Sequence, residues 1–189
     1  LRAFPEELPD RERILFRVDM DRRTGVPALL VQSQTAPDWA FLSANPDYLL
    51  QLPPPEENPT FKPYNPSLAR GQLLTFRLRA NPTARRGSRD DKGKRKRLAW
   101  LREEEQRAWL ERHAARGGFR LAQLTVIPEG MHETVKLEDK HTYHIRYFAA
   151  RFEGLLQVTD PDQFLRTLAA GIGPAKAFGF GLLSVAPVR

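Results

Sequence analysis

Gly171-Ile172-Gly173-Pro174-Ala175-Lys176-Ala177-Phe178-Gly179-Phe180-Gly181 sets four glycines and one lysine between a helix and the last strand of the chain. Upstream, Asp160-Pro161-Asp162 followed by Phe164, Leu165, Leu168 and Ala169 predicts an amphipathic helix: Asp160 caps it, Pro161 takes its first position and Gly171 ends it. Downstream, Leu182-Leu183-Ser184-Val185-Ala186 predicts a buried strand that stops at Pro187. The order helix, glycine loop, strand excludes dinucleotide folds and P-loops, which need strand, glycine loop, helix. An RNP1-like reading of Lys176 to Gly181 departs at Ala177 and Gly181, and the helix and strand that should follow that box have no room before Arg189. Two readings stand: a purely structural turn, or a backbone of positive φ that another molecule approaches closely, with Lys176 beside it for phosphate.

Outward from the loop, the second half begins with Leu73 to Ala80. There Leu74, Phe76, Leu78 and Ala80 share one strand face, and Thr75, Arg77 and Arg79 share the other. Glu103 to Arg116 predicts a helix stopped by Gly117. Strands are expected at Phe119 to Ile127 and Tyr143 to Phe152, with Glu153-Gly154 turning into Leu155 to Val158. Strand, helix, strands, helix, strand is the split βαβ pattern of a ferredoxin-like domain.

The first half repeats that pattern with its beginning cut off. It shows a helix tail (residues 1–8), then a hairpin in which Ile14, Phe16 and Val18 alternate with Leu15, Arg17 and Asp19, turning at Asp21 to Gly25 and returning from Ala28 to Ser33. A short helix around Trp39 and Phe41 and a strand from Tyr48 to Leu52 complete it, before a proline-rich linker from Pro53 to Pro66. The expected fold is α+β: tandem ferredoxin-like βαββαβ domains, residues 1–66 lacking the N-terminal strand and residues 67–189 carrying a basic insert and the glycine loop. Leu1 is not methionine, and the N-terminus is read as missing residues.

The 189 residues are 41% hydrophobic, enough for one large or two small cores. No signal peptide or membrane-spanning run is visible, so a cytoplasmic location is expected, and the lack of cysteine excludes disulfides and thiolate metal sites. Net charge is +7, but residues 85–97 hold eight basic and two acidic residues, leaving 22 against 21 for everything else. That concentration is the footprint of a polyanion binder, and its alternative is a solvated loop. Lys94, Arg95, Lys96 and Arg97, with Arg77 and Arg79 on the preceding strand, are candidate phosphate contacts.

Taken in order, Leu29-Leu30-Val31-Gln32-Ser33, Phe76-Arg77-Leu78-Arg79-Ala80-Asn81-Pro82, Ala108-Trp109-Leu110, Phe152-Glu153-Gly154 and the glycine loop resemble the CasE family over nearly the whole chain. These are the CRISPR RNA-processing endoribonucleases of type I-E Cascade. The resemblance implies two ferredoxin-like domains and cofactor-free, metal-independent cutting of a repeat stem-loop RNA at the base of its stem. The 2′-hydroxyl attacks the adjacent phosphate, and the protein keeps the product beside other Cascade subunits. Such a reaction needs acid and base groups and cationic stabilisation of the phosphorane. In the family a tyrosine and a histidine on the first helix supply much of this, and they lie before the segment matching Leu1-Arg2-Ala3-Phe4-Pro5, so the catalytic residues are unknown within this chain. RNA binding is expected from Arg77, Arg79, Lys94, Arg95, Lys96, Arg97, Gly171, Gly173, Lys176, Gly179 and Gly181. The alternative is a non-catalytic RNA-binding module of the same fold.

His113, near the Trp109 stripe, reads as a packed or solvent-edge histidine. His132 carries no pattern of its own. His141 and His144 flank Tyr143 so that one of them faces a cleft, but their spacing suits no metal site, and no other ligand cluster supports one.

Overall fold

The computed structural model describes residues 2–10, 12–21, 23–55, 57–89, 95–138 and 141–188, and within these the side chains of residues 43, 46, 85–89, 95–97, 136–138, 141 and 143 lie outside the description. Eight strands and two α-helices follow in the order β1 (Leu15–Met20), β2 (Pro27–Gln32), β3 (Leu73–Ala80), β4 (Thr83–Arg89), β5 (Arg95–Ala99), α1 (Glu103–Arg116), β6 (Phe119–Glu138), β7 (His141–Val158), α2 (Pro161–Ala170) and β8 (Leu183–Pro187).

β3 buries Leu74, Phe76, Leu78 and Ala80 and turns Arg77 and Arg79 to the other face, as its period of two requires. It is a central strand of an antiparallel sheet ordered β6-β7-β3-β8, with β7 on one side and β8 on the other. That order is the ferredoxin-like arrangement. One core joins the inward face of the sheet to both helices: Trp109 stacks on Phe152 at 5.9 Å between ring centroids, and Phe119 meets Phe164 at 5.2 Å.

α1 begins at three successive glutamates, whose charge suits a helix N-terminus, and it stops at Gly117. Gln106, buried on its inner side, donates from Nε2 to the carbonyls of Trp100 and Leu101, fixing the approach to the helix. In α2, Asp160 accepts from the Gln163 amide at 3.0 Å, and Gly171 ends the helix at φ +70.

Several expectations change. Glu153-Gly154 is no turn, because β7 runs unbroken from His141 to Val158 and pairs with β6 along its length. The slack that suggested a turn is taken up opposite, in bulges at Leu121/Gln123 and Pro128/Gly130. The basic insert is a hairpin: β4 and β5 form their own two-stranded sheet, closed at its base by the Trp100 amide on the Pro82 carbonyl.

In the first hairpin the buried residues are Leu15 and Arg17, whereas Val18 is 47% exposed. The apolar-in rule is reversed there because Arg17 is paired with Asp19 and donates to two main-chain carbonyls.

Packing groups Leu15–Gln32 with Leu68–Arg189, and Leu1–Ile14 with Ser33–Ser67. The boundary by packing thus differs from the partition at residue 66 in the placement of the β1–β2 hairpin. In the smaller unit the Glu12 carboxylate accepts from the Gln34 and Thr35 amides and the Thr35 hydroxyl, Asp38 donates its amide to the Ala3 carbonyl, and Arg2 lies over Phe41. Of the expected helix tail, residues 2–8 form turns and bends, and the helix around Trp39 is a 3-10 turn over Ala40–Ala44. Tyr48 ends a further 3-10 turn rather than starting a strand.

Candidate nucleic-acid interface

The glycine loop is held in place from inside. Ile172 donates its amide to the Gly181 carbonyl and Gly181 donates to the Arg79 carbonyl, so both ends are tied to each other and to β3. Between them a 3-10 turn forms over Lys176–Phe178, flanked by left-handed Ala175 and Gly179. The loop's glycines have positive φ, and the space where a side chain would stand is occupied by protein. A Cβ at Gly171 would meet the Gly181 carbonyl and Leu15 at 2.8 Å, one at Gly173 would meet the Trp109 ring at 2.8 Å, and one at Gly179 would meet Phe16 at 3.1 Å. Close approach is thus explained by packing against β1 and α1. Lys176 donates from Nζ to the Gly173 carbonyl at 2.7 Å, across the mouth of the loop.

Arg77 and Arg79 emerge beside this loop on the sheet face away from the helices. Arg77 is 45% exposed and binds Glu153 at 2.7 Å, with Asp19 at 3.8 Å. Arg79, 22% exposed, is paired with Glu129, and its guanidinium lies 4.8 Å over the Phe180 ring. Both arginines therefore have carboxylate partners.

From Phe180 an aromatic ladder continues along the long β6–β7 hairpin. Tyr147 meets Phe180 edge-on at 5.1 Å and stacks on Phe178 at 5.7 Å and on His132 at 5.7 Å. The ladder ties the hairpin beyond the Pro128/Gly130 bulge to the glycine loop. Sequence reasoning missed Tyr147 and the acids Glu129 and Glu153, since nothing local marks residues of β6 and β7 that meet β3 and the glycine loop only in the folded sheet.

Arg17 belongs to the same region. Its guanidinium donates to the carbonyls of Arg77 at 3.3 Å and Leu182 at 3.4 Å, and it holds Asp19 at 2.9 Å. The signal that could have found it was an arginine in phase with Leu15 on an alternating strand.

The histidines divide by surroundings. His113 packs against Trp109 at 4.4 Å, and its pKa is held below the ordinary value first by burial and then by Arg116, Arg112 and Lys176. His144 is exposed on the distal hairpin with Nδ1 at 2.8 Å from Glu133. The His141 side chain lies outside the described residues. So do Lys94 and the side chains of Arg95, Lys96 and Arg97, although the backbone of the last three is strand β5. The structure thus brings Arg77, Arg79 and the glycine loop together and gives the basic insert a hairpin of its own.

A family model described as CRISPR associated protein matches residues 1–187, and so takes in β3, the basic hairpin and the glycine loop. The CRISPR-associated endoribonuclease Cse3 of Thermus thermophilus is 40% identical, covering 94% of this chain and 81% of that protein. The chain belongs to the CasE family of CRISPR-associated proteins. Its Escherichia coli relative, CRISPR system Cascade subunit CasE, is 34% identical, over 62% of this chain and 60% of that protein. Thermus thermophilus Cse3 bound to an RNA representing a pre-cleavage complex superposes with a TM-score of 0.70 at 39% identity, covering 94% of this chain and 80% of that one. The α+β, tandem ferredoxin-like class expected from the sequence is therefore the class of this CasE-family chain.

Proposed function

We propose that this chain is an RNA-binding, metal-independent endoribonuclease. It cuts CRISPR repeat stem-loop RNA at the base of the stem and stays bound to the product as a Cascade subunit in the cytoplasm. The observation that carries the reading is the extent of likeness to Cse3 seen with RNA in a pre-cleavage state, 94% of this chain at 39% identity. Residues 1–66 and 67–189 are its proposed N- and C-terminal ferredoxin-like domains. No helix among the described residues is long and apolar enough to cross a membrane.

The resemblance places a tyrosine and a histidine on the first helix, ahead of the segment that matches Leu1-Arg2-Ala3-Phe4-Pro5; the first tyrosine and histidine of this sequence are Tyr48 and His113. Incubation with a repeat stem-loop RNA in EDTA is the decisive assay. Cleavage at the stem base with a 2′,3′-cyclic phosphate end is expected from attack by the 2′-hydroxyl. RNA that is bound but left whole would support the non-catalytic module instead.

The proposed contacts are electrostatic. Lys94, Arg95, Lys96 and Arg97 supply the stem phosphates with the densest charge in the chain, and an A-form stem is read largely through shape and backbone. Replacing all four with alanine should weaken stem-loop binding. It should also flatten the salt dependence, by about one unit of log-log slope for every phosphate that is no longer neutralised. An unchanged slope and affinity would leave the hairpin without this role.

Half-exposed Arg77 is proposed to reach RNA with the N–H groups that Glu153 leaves free. Arg79 serves the same face from beneath, by holding Phe180 and Glu129. In the loop, Lys176 is the proposed phosphate contact near the scissile end. Gly171, Gly173, Gly179 and Gly181 bring the main chain close to the RNA while packing inward. Lys176→Ala should lower stem-loop affinity several-fold, while removing the bond to the Gly173 carbonyl costs only about 1 kcal/mol of stability. Parental affinity in that variant would make the loop structural alone.

A further inference from the structure

Behind the glycine loop, the last turn of α1 and one side of α2 enclose a recess of about 240 Å³ lined by His113, Arg116, Gln163, Arg166, Thr167 and their small neighbours. No carboxylate lines it. Elsewhere in the sheet and on α1, Arg77, Arg79, Arg107, Arg146 and Arg151 are each paired with a glutamate. Arg116 and Arg166 have no acidic partner among the described residues. Arg166 is instead aimed by a neutral group: Gln163 Oε1 accepts from its Nε at 3.2 Å and its Nη2 at 2.9 Å. That leaves the amide N–H groups of Gln163 and the outer N–H groups of both guanidiniums as donors, a set suited to an oxyanion with several acceptor oxygens.

We propose that this recess binds a phosphate group, and that its source is an RNA strand leaving the stem past the glycine loop. The RNA source rests on the function proposed above, whereas the phosphate chemistry does not. A concavity between two helices takes one splayed-out phosphate, as single strands offer, rather than the continuous ridge of a duplex. His113 reports on occupancy. It meets Trp109, Arg112 and Arg116 from its own helix and Lys176 from the loop, and shares the recess with Arg166 of α2; burial of the ring first, and then the nearby cations, hold its pKa below the ordinary value. An anion in the recess offsets those cations, so binding raises the His113 pKa and tightens as pH falls.

Two measurements test the proposal on the parent and on Arg116→Ala/Arg166→Ala. One compares affinity for a stem-loop RNA with and without single-stranded extensions. The other follows the His113 ring resonances by NMR against pH, with and without inorganic phosphate. The double variant should bind the extended RNA about five- to tenfold more weakly and the bare stem-loop as tightly as the parent. Phosphate should raise the His113 pKa in the parent and leave it unmoved in the variant. A phosphate response without any extension-dependent weakening would uphold the site and make free phosphate its source. Absence of both, or an equal weakening for the two RNAs without a phosphate response, would overturn it. If the parent bound neither RNA, the RNA-binding function would fall, and the phosphate titration alone would decide the recess.

Discussion

Gly154→Ala lowers the thermal midpoint by about 10 °C, because a methyl group there runs into the Gln123 carbonyl oxygen and stands 3.2 Å from the Leu124 Cα. Both neighbours are main chain in the paired strand, so relief requires β6 to move out of register at its Leu121/Gln123 bulge. The backbone adds to the cost, since Gly154 sits at φ +150, outside the reach of most side chains. Together these amount to about 3 kcal/mol or more. Gly130→Ala is the control: it lies at φ +90 in the same hairpin, with nothing within 4 Å of the added carbon, so it should cost only about 1 kcal/mol. Calorimetry of the two variants side by side decides the matter. Equal midpoints would mean that β6 yields without penalty and that the clash is not what excludes a side chain from Gly154.

Arg17→Ala detaches the first hairpin from the sheet and costs about 2–3 kcal/mol, measured by urea unfolding. Removing the guanidinium strips Asp19 of its nearest cation and takes a donor from the Arg77 and Leu182 carbonyls. Asp19 keeps partial access to water and to Arg77 at 3.8 Å, which holds the destabilisation at the lower end of what breaking a buried ion pair costs. Asp19→Asn retains the packing and should cost about 1 kcal/mol. The consequence for function runs through β1: Leu15 lies against Gly171 and Phe16 against Gly179, so loosening the hairpin removes the inner wall of the glycine loop. Stem-loop cleavage should fall in Arg17→Ala even at temperatures where the sheet stays folded. Parental stability in that variant would show that Arg17 is a passenger of the hairpin rather than its clip.

Local chemistry was enough to read β3 and the two helices of the second half of the chain. The alternation of Leu74, Phe76, Leu78 and Ala80 with Thr75, Arg77 and Arg79 set the two faces of β3. The bounds Glu103–Arg116 and Pro161–Ala170 followed from Gly117, Asp160, Pro161 and Gly171. These are signals a residue carries with it: a period, a cap, a stop. The family resemblance was likewise legible, because its blocks keep their order along the chain.

Tertiary structure alone decided the rest. Gly154 looks like a turn until its carbonyl neighbour across the sheet, absorbed by a bulge about thirty residues earlier, is seen to occupy its side-chain space. Arg17 looks like the solvent face of a strand until two carbonyls from β3 and the approach to β8 take up its charge, and Val18 is turned outward in exchange. Arg77 and Arg79 were found by sequence as exposed cations, but Glu153, Glu129 and Phe180, which set how much of each reaches solvent, come from elsewhere in the chain. The arginines of the recess behind the loop share this character: Arg116 and Arg166 lie fifty residues apart in sequence, and only the packing of α1 beside α2 makes them neighbours. Burial, pairing and shared cavities are properties of pairs distant along the chain, so they first exist when the sheet closes.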